Sequence, residues 1–323
     1  MMTKSLQISY VTARDEPRID WFLESLKRQL IPGDLVDVVI VDLFQSTRVL
    51  TVPEGLFVRH IEPKPTIWQG KHRITKDNWW AKSNALNTAI AVCNANYFAC
   101  VDDRSILCPG WMQAVRDAMS FHYAVCGPYE KVIDLVASDG NIISYTEQRN
   151  GEIPSGKDNR LEYAHKYWRD MMFLQSPWKC PGEWWYGCST ALPLQWALEV
   201  NGFPEDMCDS LSAEDGPFGR LIENCGRPIY YDERLKILED RTAGSDQRMR
   251  RSDFGPSPQD KSHAVLEKMR VRQGELGTQS LNSYDLSALR ERTLKGEPWP
   301  MPTASHKDWW DGADIPAKFD GIP

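Results

Sequence analysis

The chain has 323 residues, of which 41% are hydrophobic and 26% charged, a mixture typical of a globular protein with a substantial core. This composition excludes a fibrous or intrinsically disordered protein. A net charge of −7 opposes broad binding to a polyanion. The 13 tryptophans exceed what a core of this size needs, so we expect binding sites to use some of them.

No segment has the pattern of a leader or a membrane span. Residues 1–20 lack a basic stretch followed by an apolar one, and no window approaches ~18 consecutive apolar residues. The eight cysteines form no CxxC motif and have no paired histidines nearby, so reduced thiols are expected and no zinc site is predicted. We therefore expect a cytoplasmic protein without a transmembrane segment.

Strand and helix signals alternate over the first hundred residues, which predicts an α/β fold. Buried strands are predicted at residues 6–11, 36–41 and 97–101, and helices after Pro17 and over residues 81–93. A third helix is predicted after Pro109, followed by a hairpin over 132–145, a loop-rich insertion over 148–180 and short helices at 193–200 and 215–225. Beyond residue 245 the chain is rich in Arg, Pro and Trp, which predicts a C-terminal extension, 246–323, wrapping a domain of residues 1–245.

Two adjacent carboxylates, Asp102 and Asp103, follow the predicted strand 97–101 directly. Open α/β sheets bind ligands at the carboxyl ends of their strands, and the mutual repulsion of two carboxylates calls for a cation. A hard divalent ion such as Mg²⁺ or Mn²⁺ suits them. The alternative is a solvated turn in which an Asp caps a helix.

A second acidic pair, Glu214 and Asp215, opens a predicted helix. Capping of that helix is the simpler explanation for an isolated pair. The aromatic run Trp184, Trp185 and Tyr186 lies upstream and is typical of the rim of a sugar site.

The segments 8–14, 39–42, 82–90, 100–103 and 200–219, taken in this order, resemble a family-2-type glycosyltransferase with the GT-A fold. The resemblance covers residues 5–240. It implies a Rossmann-like, mixed and mostly parallel sheet flanked by helices, with a nucleotide-sugar-binding half over 1–105 and an acceptor-binding half over 106–245. Arg104 follows the Asp pair where many members of the family carry an acidic or small polar residue.

The resemblance also implies roles for individual residues. On the donor side, Thr12 and Arg14 would border the nucleotide, Asp42 would hold the uracil or ribose, Lys82 would lie near the base or diphosphate, and Asp102 would contact the nucleotide-sugar. Mn²⁺ or Mg²⁺ would be held by Asp103, with Asp102 and, as a substitute for a late histidine, Glu239. Asp215 would be the general base, and Trp184, Trp185, Tyr186 and Glu214 would line the sugar and acceptor site.

These roles predict a metal-dependent, inverting transfer from a nucleotide-diphosphate sugar, for instance a UDP-sugar, to an acceptor hydroxyl. A retaining transferase, a sugar-nucleotide-forming nucleotidyltransferase and an inactive carbohydrate- or nucleic-acid-binding module are the alternatives. The acceptor stays open between a glycan, a protein and modified nucleic acid, for which the basic stretches 248–251 and 268–272 are candidates. The oligomeric state stays open as well.

Overall fold

The computed structural model describes residues 5–65, 81–150, 153–154, 157–158, 160, 176–205, 215–242, 277–280, 282 and 284–300. Over these residues the chain forms a large sheet with helices on both faces and a smaller sheet beside it. The strands of the large sheet, in spatial order, are β11 (Trp178–Lys179), β13 (Ile229–Tyr231), β6 (Ala124–Cys126), β12 (Ser189–Pro193), β4 (Tyr97–Asp102), β1 (Leu6–Thr12), β2 (Val36–Asp42) and β3 (Phe57–Ile61).

The large sheet is mixed and mostly parallel, as predicted. Among its described strands only β11 and β12 run against the others, β12 pairing antiparallel with both β4 and β6. β1 lies between β2 and β4 and is buried along its whole length. Strands covered on both faces favour apolar sequence, the pattern of β2 and β4, and β1 buries Gln7, Ser9 and Thr12 among its apolar residues.

Alternate residues of the central strands pack into two separate cores. In β2, for example, Val38 and Ile40 face one core, and Val39 and Val41 face the other. The described α-helices are α1 (Ile19–Lys27), α2 (Lys82–Ala91), α3 (Trp111–Phe121), α4 (Leu194–Glu199), α5 (Asp215–Asn224) and α6 (Leu286–Leu294). The first and third pack on one face, and α2, α4, α5 and α6 pack on the other, which confirms a sheet flanked by helices.

The smaller sheet has the spatial order β5 (Ser105–Leu107), β14 (Ile237–Asp240), β7 (Tyr129–Ser138), β8 (Asn141–Glu147). β7 and β8 form the predicted hairpin, and its turn residues Asp139 and Gly140 both have positive φ, as a tight hairpin turn requires. β14 pairs with β5 and sets Glu239 opposite Ser105, two residues after Asp103.

The insertion 148–180, expected to be loop-rich, contains the short strands β9 (Arg149–Asn150), β10 (Ile153–Pro154) and β11 in its described part. Arg160 anchors this insertion to the core. Its guanidinium pairs with Asp158, donates to the carbonyl oxygens of Gly127 and Trp184, and lies over the ring of Tyr186.

The described part of the C-terminal extension is joined to the domain by a buried polar cluster. Lys64 Nζ lies 2.8 Å from Glu205 Oε1 and 2.6 Å from Asn84 Oδ1, and Tyr284 of the extension donates to the same Glu205 carboxylate. Leu286 and Leu289 of α6 complete the adjoining core. The boundary at residue 245 stays a prediction, and most of the extension lies outside the described residues. No described helix has the length and apolar character needed to span a bilayer.

Candidate active site

The candidate site lies at the carboxyl ends of three neighbouring strands. Thr12 ends β1, Asp42 ends β2 and Asp102 ends β4, and the ladder registers set Thr12 opposite Asp42 and Val11 opposite Asp102. Carboxyl ends of parallel strands meet at one edge of a sheet, where open α/β folds bind ligands. Thr12, Asp42 and Asp102 therefore lie at one edge of the sheet, and their roles toward a donor stay predictions.

Asp103 is held by the end of β1. Arg14 Nε lies 2.9 Å from each carboxylate oxygen of Asp103, and Thr12 Oγ1 donates to Oδ2 at 2.9 Å. The next residue, Arg104, adopts positive φ and points away, its buried guanidinium pairing with Asp240. The Arg that follows the Asp pair thus stabilises the turn through a buried ion pair with Asp240.

The carboxylates of Asp102 and Asp215 both lie close to the ammonium of Lys82. Lys82, the first residue of α2, places Nζ 3.0 Å from Asp102 Oδ1 and 3.8 Å from Asp215 Oδ2. Burial raises the pKa of Asp102, but the charges of Lys82, Arg241 and Arg14 outweigh burial and leave that pKa below its ordinary value. Asp102 is therefore ionised at neutral pH.

Asp215 lies at the start of α5, where the helix dipole favours a negative charge, and is 27% exposed. Gly187 packs against it so closely that an added Cβ would lie less than 3.0 Å from Oδ1. The next residue, Cys188, accepts a hydrogen bond from the Asp102 N–H at 3.1 Å. One short segment therefore packs against the Asp215 carboxylate and hydrogen-bonds to the backbone of Asp102. Sequence reasoning missed Gly187, although a glycine inside an aromatic run signals a close approach.

Glu239 lies on β14, beside the turn that carries the Asp pair. It is 2% exposed, and its Oε1 lies 2.7 Å from Arg241 Nη2. Burial raises the pKa of Glu239 to about 7; Arg241 opposes this rise, while the negative charges of Asp102 and Asp103 add to it. Arg241, which sequence reasoning missed, is thus part of the same charged cluster.

The carboxylates predicted to hold Mn²⁺ or Mg²⁺ do not form a metal-ligand set. Nowhere in the described chain are three or more His, Cys, Asp or Glu side chains arranged to hold a metal ion. Each predicted ligand is paired instead with a basic side chain, Asp103 with Arg14, Asp102 with Lys82 and Glu239 with Arg241. The donor types suit a hard cation, but in this arrangement a metal ion would compete with a basic partner for each of them.

Asp42 is fully buried, and both of its oxygens have partners within the protein. Oδ1 accepts from the N–H of Phe44 at 2.8 Å, and Oδ2 lies 2.6 Å from Arg48 Nε and 3.0 Å from His60 Nε2. Arg48 also donates to the carbonyl oxygen of Arg14, at 2.5 Å. In this arrangement Asp42 joins the loops after β1 and β2, and its predicted contact with uracil or ribose stays a prediction.

The aromatic run Trp184, Trp185 and Tyr186 was predicted to line the sugar and acceptor site, and the structure places its two tryptophans in the core. Trp185 is fully buried and packs against Phe218, with ring centroids 5.6 Å apart, and Trp184 packs edge-on against Tyr231. Both are core residues whose ring faces are covered by neighbouring side chains, which corrects their assignment to sugar stacking. Tyr186 is partly exposed beneath the guanidinium of Arg160. Glu214 lies outside the described residues.

Comparison with known proteins gives matches among solved structures. No protein-family model matches the chain, and no curated protein does. The chain is similar to S. aureus TarS 1-349 in complex with UDP-GlcNAc, with 15% identity, 90% of this chain and 71% of that chain covered, and a TM-score of 0.49. It is also similar to the mannosyltransferase PcManGT from Pyrobaculum calidifontis in complex with GDP-Man and Mn²⁺, with 14% identity, 84% and 65% covered, and a TM-score of 0.43.

Proposed function

We propose that the chain is a glycosyltransferase that moves a sugar from a nucleotide-diphosphate donor to an acceptor hydroxyl and inverts the anomeric carbon. The observation that carries the proposal is the position of Lys82 between Asp102, at the end of β4, and Asp215, at the start of α5. A carboxylate at the ligand-binding edge of the sheet and a second, accessible carboxylate thus share one cation.

The donor would lie at the edge formed by β1, β2 and β4. Arg14 and Lys82 are there, and basic side chains recognise diphosphate oxygens through charge-assisted hydrogen bonds. Thr12 and Asp103 fix the side chain and backbone around Arg14, which orders one of these cations before the donor arrives. This supports the predicted role of Thr12, Arg14, Lys82 and Asp102 in donor binding.

Asp215 would act as the general base. Its carboxylate is partly exposed, so an acceptor hydroxyl can reach it and hand over its proton as the hydroxyl oxygen attacks the anomeric carbon. Attack on the side opposite the leaving diphosphate inverts that carbon. Because the predicted metal ligands are paired with basic residues, no step of this mechanism passes through a metal ion.

The proposal is tested by incubating the full-length chain with UDP-, GDP- and dTDP-sugars and measuring release of the nucleoside diphosphate. Proton NMR of the first product formed gives its anomeric configuration. We expect turnover of at least one donor, with inversion. Turnover with retention would overturn the role of Asp215, and absence of turnover with every donor, despite nucleotide binding, would favour an inactive carbohydrate- or nucleic-acid-binding module.

The acceptor class is a separate question for the same assay. Glycans, proteins and modified nucleic acid are the three candidates, and the basic stretches 248–251 and 268–272 that would favour the last of them lie outside the described residues. Mass spectrometry of acceptor pools incubated with the preferred donor distinguishes the three, since the added hexose mass appears on only one class.

A further inference from the structure

We infer that three basic side chains, Arg14, Lys82 and Arg241, neutralise the diphosphate of the donor in place of a divalent cation. The inference rests on the proposed function of the same site. It departs from the metal dependence that the sequence predicts, and the ion pairs of the described residues are its basis.

Every carboxylate predicted to bind a metal already has a cation of its own. The closest approaches are 2.9 Å from Arg14 to Asp103, 3.0 Å from Lys82 to Asp102 and 2.7 Å from Arg241 to Glu239. A divalent ion would compete with these partners, most strongly at Asp103, where Arg14 Nε contacts both carboxylate oxygens. If the ion displaced Arg14, that guanidinium, only 4% exposed, would be left buried without its carboxylate, which is strongly unfavourable.

The three cations lie around one strand end. Lys82 pairs with Asp102 and Arg14 with the next residue, Asp103, and β14 sets Glu239, the partner of Arg241, opposite Ser105. An ammonium carries three N–H donors and a guanidinium five, enough to hold a carboxylate and a phosphate at the same time. Arg241 Nε is buried, and within the described part of the chain it has no hydrogen-bond acceptor, which leaves a donor for a ligand oxygen.

This arrangement would serve the departure of the leaving group. As the bond from the anomeric carbon to the β-phosphate oxygen breaks, its electron pair stays on that oxygen, and the acceptor oxygen forms the new bond to carbon. The acceptor proton passes to Asp215. Fixed cations near the phosphate stabilise the negative charge that develops, without reorganisation at the moment of reaction.

The test measures binding and does not require activity. Isothermal titration of UDP, GDP and dTDP into the full-length chain is carried out with EDTA and, separately, with Mn²⁺. We expect a nucleoside diphosphate to bind with a Kd that differs by no more than about twofold between the two buffers. We expect R241Q to weaken that binding roughly tenfold or more in both, since a charge-assisted hydrogen bond to phosphate is lost.

Two controls separate phosphate binding from a general structural effect. R241Q should leave binding of the free nucleoside unchanged, and R241K, which keeps the charge, should recover most of the diphosphate affinity. R292Q removes a partly exposed arginine of α6 that is paired with Glu297, and should change neither the diphosphate Kd nor the nucleoside Kd. If R241Q does not fold, K82Q carries the same measurement.

The outcomes distinguish this inference from the function on which it rests. Binding that appears only with Mn²⁺, or an unchanged diphosphate Kd in R241Q or K82Q with EDTA, overturns the inference and leaves the transferase proposal intact. Failure of all three nucleotides to bind in either buffer overturns the transferase proposal itself.

Discussion

The ammonium of Lys82 lies 3.8 Å from the carboxylate of Asp215, and the same ammonium lies 3.0 Å from Asp102. The proposed base and the donor side of the site are therefore coupled through one flexible side chain. A diphosphate that recruits Lys82 would reduce its hold on Asp215 just when that carboxylate is needed as a base. Donor binding would thereby prepare the base.

Replacing Lys82 tests this coupling. We expect Lys82→Gln to weaken nucleoside diphosphate binding roughly tenfold and to lower kcat as well, because the cation is lost from both carboxylates. Lys82→Arg, which keeps the charge, should recover binding more fully than turnover, since the bulkier guanidinium cannot occupy the same position between the two carboxylates. Titration calorimetry and steady-state kinetics give the two quantities. Equal loss of binding in both variants would contradict a role for the charge.

The second prediction concerns the base itself. Asp215→Asn keeps the size of the side chain but cannot accept the acceptor proton, so kcat should fall by about 10²- to 10⁴-fold. Donor affinity should change little, since the proposed diphosphate contacts come from Arg14, Lys82 and Arg241. Transfer at the normal rate would show that another group removes the proton.

The third prediction uses the close contact of Gly187. In Gly187→Ala the new methyl group would approach Asp215 Oδ1 closer than 3.0 Å, so the carboxylate must turn away. We expect kcat to fall by about tenfold or more with the fold intact by circular dichroism, because a small displacement of a catalytic group is costly. Gly216→Ala is the matched control, since it lies next to Asp215 in sequence and its added Cβ meets nothing within 4 Å. Equal activity of the two variants would exclude Gly187 as a residue that positions the base.

The fourth prediction concerns the cluster that joins the C-terminal extension to the domain. Lys64 and Glu205 are 4% and 2% exposed, so Lys64→Met leaves a buried carboxylate without its cation. We expect a loss of about 3–5 kcal/mol in the free energy of unfolding, measured by urea denaturation. Lys157→Met, which breaks a half-exposed pair with Glu147, should change the free energy of unfolding little. If both variants lose a similar amount of unfolding free energy, the buried pair of Lys64 and Glu205 contributes no more to stability than a surface ion pair.

The fold was predictable because its central strands are mostly apolar and its helices repeat apolar residues at helical spacing. Asp102, Asp103 and Asp215 were predictable because each stands at a strand end or a helix start. The partners of these residues were not predictable. Glu239 and its near neighbour Arg241 come to lie beside Asp103 only because β14 pairs with β5, and Lys82 meets Asp215 across 132 intervening positions. The burial of Trp185 also depends on tertiary packing. An aromatic run without periodicity does not show which of its side chains are buried and which are exposed.

The last prediction follows from the raised pKa of Glu239, which burial moves from 4.5 to about 7. Between these two values the folded chain binds more protons at this residue than the unfolded chain, so this group makes stability fall as pH rises through that range. Glu239→Gln removes the titration. Relative to the natural chain, the variant should gain on the order of 2 kcal/mol between pH 5 and pH 8, on top of a constant offset from its lost pair with Arg241. Urea denaturation in EDTA at several pH values measures this gain, and Glu297→Gln, at a half-exposed carboxylate on the same chain, is the control. If the difference in unfolding free energy between the variant and the natural chain stays constant with pH, Glu239 is charged throughout this range. The charge of Arg241 would then lower the pKa of Glu239 more than burial raises it.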